Sequence, residues 1–362
     1  MNILHIIFSI EKGGAETYLF NIVENMKGDM NFFVLCDHKG GNHKKIQDIC
    51  KNVDIIDMKN PFDLKAAKKV ANYCKENDIH IIQTHFLREN YIAVLSKLFN
   101  PKIKIVWTAH LIADNKGKIK IFNKLFSGFV DKIICVSEAV KKSLIEEGLS
   151  ESKLQVIYNG VDTKHYKPIE NNFFKSKMSL NDSTLVLTTI SRFNKEKGHS
   201  FLIDGIRELE KYIENFKLIL VGEGEEQEAI KQKVKKYGLE EYIKFLGYRE
   251  DILGILSITD IYISPSKNEA ISFSILEALS SGKVVVATEV GGVPEIFKKG
   301  DIGVLIPYGE PEVFAQAIVH LYTNEKVYEK KKMNSRKIVV DNFSLNKMVK
   351  ETLNLYNELL NE

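Results

Sequence analysis

Apolar positions along the chain fall into short runs of β-branched and aromatic residues, separated by longer stretches with apolar positions at helical spacing. In the first half the short runs are ILHIIF, NFFVLC, VDIID, HIIQTH, KIVWTA and KIICVS, and segments such as AETYLFNIVENM and DLKAAKKVANYCKEN lie between them. The second half repeats the alternation with LVLTTIS, FKLILVG, IKFLG, IYISPS, VVVATE and GVLIP, interleaved with SFLIDGIRELEKYI, EEQEAIKQKVKKYG, SILEALSS and PEVFAQAIVHLY. Strands apolar on both faces and alternating with helices predict a parallel sheet covered on each side. Two such rounds predict an α/β chain of two doubly wound domains, which the length of 362 residues accommodates.

Turn chemistry at Asn159, Gly160 and Pro168, followed by the polar stretch 170–172, places the expected boundary after Pro168. The domains are then 1–168 and 169–343. The remaining residues, 344–362, form an amphipathic helix expected to pack back on the first domain. Ligands of open parallel sheets collect beyond the carboxyl ends of the strands, so a cleft between the two domains is the expected site.

Composition narrows the classes. A formal charge of +3 is small for this length, and the aromatics are not interleaved with arginines, so no nucleic-acid partner is expected. Cys36, Cys50, Cys74 and Cys135 form no CxxC pair and no Cys/His cluster, which argues for reduced core thiols and no metal site. The chain opens on the apolar run NILHIIF with no basic leader, and no apolar run approaches the roughly 20 residues needed to span a bilayer. A cytoplasmic protein is expected, with peripheral association on the inner face of the cell membrane carried by residues 115–130. There Lys116, Lys118, Lys120 and Lys124 accompany Ile119, Ile121, Phe122, Leu125, Phe126 and Phe129. The pattern suits an anionic membrane surface. A core-facing helix with solvated lysines is the plain alternative.

The richest chemistry lies in NEAISFSILEALSSG, Asn268 to Gly282. A helix expected to open just after Glu269, capped by Ser272 or Ser274, presents the free amides of residues 270–273 and the positive end of its dipole, a ready site for phosphate. Glu269 would stand beside that phosphate. Glu277, about two turns on, would accept hydrogen bonds from vicinal hydroxyls such as those of a ribose. An ordinary amphipathic helix with incidental glutamates reads the same way.

Other strand ends supply partners. SRFNKEKG puts Arg192 and Lys197 in a strand-to-helix loop, where two cations suit a diphosphate and a solvated loop is the plain alternative. VGEGEE brings Gly222 and Gly224 to the next strand end, but Gln227 stands where a dinucleotide fingerprint needs its third glycine. GxxxxGK[ST] is absent as well, so nicotinamide and flavin are disfavoured. Gly13 and Gly14 occupy the first strand-to-helix turn, either to let a substrate lie on bare backbone or simply to turn the chain. His110 ends IVWTAH and His85 ends HIIQTH, so both are expected to face the cleft, as substrate contacts or as structural histidines.

With these residues in place the chain resembles the retaining glycosyltransferases of family 4, over nearly its whole length. The motifs GGAE, TAH, VSEAVKKSL, VIYNGVD, SRFNKEKG, VGEGEE, FLGY, the span from Glu269 to Glu277, and GGVPEI occur in the family's order. The resemblance implies a GT-B fold of two Rossmann-like domains. It also implies that Arg192 and Lys197 neutralise a donor diphosphate, that amides of Ile271, Ser272 and Phe273 hold its distal phosphate, and that Glu277 binds ribose. Glu269 and His110 would contact the transferred hexose, Gly14 would underlie the phosphate, and Gly222 with Leu246 to Tyr248 would flank base and ribose; Gly13 and His85 fall on the acceptor side. Ala270 and Ile271 replace the family's usual Gly-Phe pair, which implies a differently shaped sugar pocket, and FSL after Asn342 departs from the usual FSW.

The implied substrates are a nucleoside diphosphate sugar, UDP-sugar ahead of GDP-sugar, and a glycan or polyprenyl-linked acceptor, with no other cofactor. No D-x-D is present for a metal-bridged diphosphate, so metal-independent transfer is expected. A sugar-nucleotide epimerase of the same fold and a non-catalytic glycosyltransferase-like subunit are the competing readings.

Overall fold

The computed structural model describes residues 1–11, 13–169, 172–178 and 180–361; Glu170 and Asn171 of the expected boundary stretch and the final Glu362 lie outside them. The chain divides into two compact units, Met1–Asn159 with Asn346–Glu362, and Gly160–Leu345.

The first unit carries a seven-stranded sheet built from β1 (Asn2–Ser9), β2 (Asn31–His38), β3 (Asn52–Ile55), β4 (Ile81–Thr84), β5 (Lys104–Ala109), β6 (Lys132–Cys135) and β7 (Leu154–Val156), in the order β3-β2-β1-β4-β5-β6-β7. The second carries β8 (Leu185–Ile190), β9 (Phe216–Val221), β10 (Ile243–Phe245), β11 (Ile261–Ser264), β12 (Val284–Thr288) and β13 (Gly303–Ile306), in the order β10-β9-β8-β11-β12-β13. All neighbouring strands pair in parallel. Each sheet reverses its strand order once, between β1 and β4 and between β8 and β11. That reversal opens a crevice at the carboxyl ends where a ligand can reach the backbone.

Apolar residues on both faces explain why these strands are central. Leu187, Leu218, Leu220 and Ile263 join one helical layer, whereas Val186, Ile219 and Val221 join the other. The period of two sends successive side chains to opposite layers. Each such side chain removed from water contributes about 1.5–3 kcal/mol.

The units meet at Asn159 and Gly160, ahead of the expected boundary at Pro168. Turn residues mark a change of direction, but hydrogen bonds decide which unit holds a segment. Val161 donates to the Phe343 carbonyl at 3.0 Å and accepts from the Leu345 amide at 2.9 Å. Gly160 lies so close to this strip that a Cβ would stand 2.6 Å from the Ser344 carbonyl oxygen. The final helix, Leu345–Asn361, belongs to the first unit from Asn346 onward; there Leu355, Tyr356 and Leu359 are buried and the Tyr356 hydroxyl donates to the Gln83 side chain.

Candidate active site

The second unit gathers its charged candidates at its switch point. β8 runs out into Ser191, Arg192 and Phe193, and the Asn194 side chain accepts from the Lys197 amide at 3.1 Å, closing a short turn over Lys195–Lys197. Gly198 follows at φ +66°, and a Cβ there would stand 1.9 Å from the Pro265 carbonyl oxygen. Only glycine lets the loop after β8 pack so tightly on the loop after β11. The same approach brings the Lys197 ammonium to Glu269 Oε2 at 2.5 Å, with Ser266 Oγ at 3.4 Å from that oxygen. Both partners are largely shielded, the side chains of Lys197 and Glu269 keeping 26% and 12% of their exposure. Removing either partner would strand a half-buried charge. Arg192, by contrast, is exposed on the same loop.

The helix after β11 spans Phe273–Ser280 and so opens later than the sequence suggested. Ser272 is its cap: the backbone there is extended, and Oγ accepts from the Ile275 amide at 3.4 Å. Glu269, Ala270 and Ile271 form the approach loop, with Ala270 and Ile271 buried. The unpaired amides of the first turn therefore start at Phe273 and Ser274. Ile271 and Ser272, expected among the helical donors, precede the turn.

Glu277 lies on this helix, and burial pushes its carboxyl up to about 7, while the Tyr166 hydroxyl donates to it and opposes that rise. Sequence reasoning did not single out Tyr166, since a lone tyrosine in a stretch without helical or strand spacing carries no pattern of its own. Gly222 and Gly224 also have a structural reason. At φ +129° and +159°, their missing side chains admit the Ser191 and Phe193 carbonyl oxygens, to which a Cβ would stand 2.0 and 2.3 Å away. The Gly222 amide donates to the Gly247 carbonyl at 2.8 Å, which sets Leu246 and the exposed Tyr248 beside the end of β9. Among the described residues no cluster of three or more His, Cys, Asp or Glu side chains is arranged to hold a metal ion.

The first unit brings together three imidazoles. His85 Nε2 lies 3.0 Å from His5 Nδ1, and His85 Nδ1 lies 3.0 Å from His110 Nε2. Both ring pairs stack, with centroids 5.3 Å apart and planes 19° apart. His5 and His85 are buried, and His110 is partly exposed at the end of β5. His85, expected on the acceptor side, is buried with both of its nitrogens engaged, and it stands behind His110. Burial lowers all three, His5 and His110 to about 3 and His85 well below its ordinary value, so the stack is neutral at physiological pH. His5, hidden inside an apolar strand, escaped the sequence reading. Tyr18 closes the stack edge-on against His85 and His110.

Gly13 and Gly14 end the loop after β1 and open the helix Gly14–Met26. Gly13 is extended at φ −168°, and neither residue has positive φ. Nothing lies within 4 Å of the position a Gly14 Cβ would take. The turn does not demand a positive φ here, and what Gly14 supplies is bare, open backbone at the first switch point.

Two doubly wound units, each with its switch point open at the strand ends and one of them lined by a lysine, a glutamate and a capped helix start, define a glycosyltransferase of the GT-B fold. The chain belongs to family 4, group 1, of these enzymes: residues 12–165 match Glycosyltransferase Family 4, and residues 170–338 match Glycosyl transferases group 1. N-acetyl-alpha-D-glucosaminyl L-malate synthase of Bacillus anthracis is 28% identical over 309 residues, covering 83% of this chain and 81% of that one. UDP-Gal:alpha-D-GlcNAc-diphosphoundecaprenol alpha-1,3-galactosyltransferase of Escherichia coli is 24% identical, covering 94% of this chain and 92% of that one. Among solved structures, Anabaena Alr3699/HepE in complex with UDP-glucose superposes with a TM-score of 0.87 at 23% identity, over 99% of this chain and 100% of that one.

Proposed function

We propose that the protein is a retaining, metal-independent transferase. It moves a hexose or N-acetylhexosamine from a nucleoside diphosphate sugar, UDP-linked ahead of GDP-linked, to a glycan or polyprenyl-linked acceptor in surface polysaccharide or glycolipid assembly. The observation that carries this reading is the Lys197–Glu269 pair at the second switch point, with the capped helix start and Glu277 on the same segment. Arg192 and Lys197 neutralise the diphosphate, and the amides from Ile271 to Phe273 and on into the helix hold its distal phosphate. Glu277 takes the ribose, with Gly222, Leu246 and Tyr248 around base and ribose. Glu269 and His110 contact the sugar, and Gly13 and Gly14 leave it room.

In the reaction the anomeric carbon–oxygen bond to phosphate breaks as the acceptor oxygen bonds to the same face of that carbon. The acceptor's proton passes to an oxygen of the departing diphosphate. Charge develops on that leaving group, so cations and amides already in place lower the barrier and no protein nucleophile is needed.

The likeness to an undecaprenol-linked galactosyltransferase supports a lipid-linked acceptor. So does the helix Gly117–Ser127, which leaves Ile119, Ile121 and Leu125 exposed together with nearby Phe129, alongside Lys116, Lys118, Lys120 and Lys124. This face rests on an anionic membrane from the cytoplasmic side. Among the described residues no helix is long and apolar enough to cross a membrane. Sedimentation with anionic vesicles at low salt and release at high salt are expected; no sedimentation at low salt refutes the docking.

The test of the whole reading is nucleoside diphosphate release from a panel of UDP-, GDP- and ADP-sugars, with simple and lipid-linked acceptors, in excess chelator. Release from one donor, reduced in Glu269→Ala and Arg192→Ala, is expected. Release that needs magnesium or manganese overturns metal independence, and an inverted product overturns retention.

A further inference from the structure

Residues 160–168 run along the helix Phe273–Ser280 and are fastened to it. Ser280 Oγ donates to the Tyr166 carbonyl at 2.6 Å. Arg336, on the helix Glu325–Asn342, donates through Nη1 to the carbonyls of Tyr166 at 3.0 Å and Ser280 at 2.8 Å, and through Nη2 to that of Thr163 at 3.0 Å. One guanidinium thus ties the segment to the helix end. Further along, Pro168 packs over Gly282, where φ is +74° and a Cβ would stand 3.1 Å from the proline ring. The Tyr166 backbone is held from both sides, and its hydroxyl donates to the carboxylate of Glu277 on the same helix.

The last torsion of a glutamate is broad, so a lone carboxylate samples many orientations. A phenol donating to one oxygen fixes the plane of the group and leaves the remaining lone pairs for a ligand. Five donors in a rigid fork make arginine the side chain suited to holding several carbonyls at once. We propose that Tyr166 is a positioning residue, orienting Glu277 to accept the ribose hydroxyls of a nucleoside diphosphate, and that Arg336 acts through it by fixing its backbone. The inference rests on the donor-site reading above and adds to it two residues that the sequence did not single out. Arg336 touches no substrate, yet it governs recognition of the sugar ring of the nucleotide.

The experiment is calorimetric titration of the full-length chain with UDP and GDP and with their 2′,3′-dideoxy counterparts. Tyr166→Phe is expected to weaken binding of the preferred nucleotide about three- to tenfold, the net scale of one ordinary hydrogen bond, and to change affinity for its dideoxy form less than about twofold. Arg336→Met should reproduce this selective loss. Tyr166→Phe removes a single oxygen and keeps the ring, so it answers the question even where Arg336→Met fails to fold. An unchanged nucleotide affinity in Tyr166→Phe, or an equal loss for the ribose and dideoxy forms, overturns the proposal while leaving the donor site standing. Failure of the wild-type chain to bind either nucleotide overturns both.

Discussion

The switch points of the two units are built from opposite materials. In the second unit Lys197 is clasped to Glu269 at 2.5 Å beside a helix start, and a further carboxyl sits on that helix. In the first, three stacked imidazoles, held by 3.0 Å contacts and lowered by burial, present an uncharged edge at the strand ends. The same fold thus offers fixed charge at one crevice and neutral polarity at the other. On the proposed function, a diphosphate leaving group uses the former, while sugar hydroxyls, which carry no charge, suit the latter. Repeating a doubly wound unit repeats the geometry of the crevice and leaves its chemistry free to diverge.

If charge is the currency of the second crevice, its loss should have the largest effect. Lys197→Met removes the cation, strands Glu269, and is expected to lower kcat/KM by roughly a hundredfold or more, as loss of a positioned transition-state donor does. Initial rates at saturating and limiting donor measure this, and a loss below about fivefold breaks the contrast.

The neutral crevice should respond differently. On the proposed role, in which the imidazole meets sugar and not phosphate, His110→Ala is expected to cost roughly tenfold in kcat with nucleoside diphosphate affinity almost unchanged. An equal loss of nucleotide affinity would erase the division between the two regions.

The smallest effect is a matter of pH. Glu277 titrates near 7 in the folded chain against an ordinary 4.5, so it becomes fully ionised only above neutrality. Because a carboxylate accepts ribose hydroxyls better than a carboxylic acid does, affinity should rise roughly threefold from about pH 6 to about pH 8. Glu277→Gln should lack that increment with the same nucleotide, so titration of the ligand itself cancels in the ratio. Folding stability moves the opposite way. The folded state holds this proton more tightly than the unfolded chain, so the contribution is present below pH 4.5 and is lost as pH rises through about 7.

How much of this the sequence disclosed follows from what each signal depends on. The runs that became β8, β9 and β12 were legible because they are apolar on both faces and bounded by turns. β7 was not, since Leu154–Val156 is three residues long with only Leu154 buried. The helix Glu325–Asn342 was also missed: it buries little beyond Ser335 and Val339, and its many lysines dilute the apolar spacing. Glu269, Lys197 and Arg192 were identifiable as charged residues at strand ends. Their pairing was not, because the distance between the loops after β8 and β11 is set by strand order, and periodicity does not reveal order. The same limit hid His5 behind His85, so the sequence did not show that His85 lies buried between two imidazoles. It hid Tyr166 too, whose place beside Glu277 depends on a guanidinium far along the chain.

The final helix gives the chain an unusual order of completion during synthesis. Gln83 leaves the ribosome early, but the hydroxyl it accepts from, on Tyr356, is made only after every residue of the second unit has been translated. Nascent chains fold unit by unit from the amino end. Here the second unit has all of its residues first, and the earlier-made sheet waits for its last helix before the face that Leu355, Tyr356 and Leu359 cover can close.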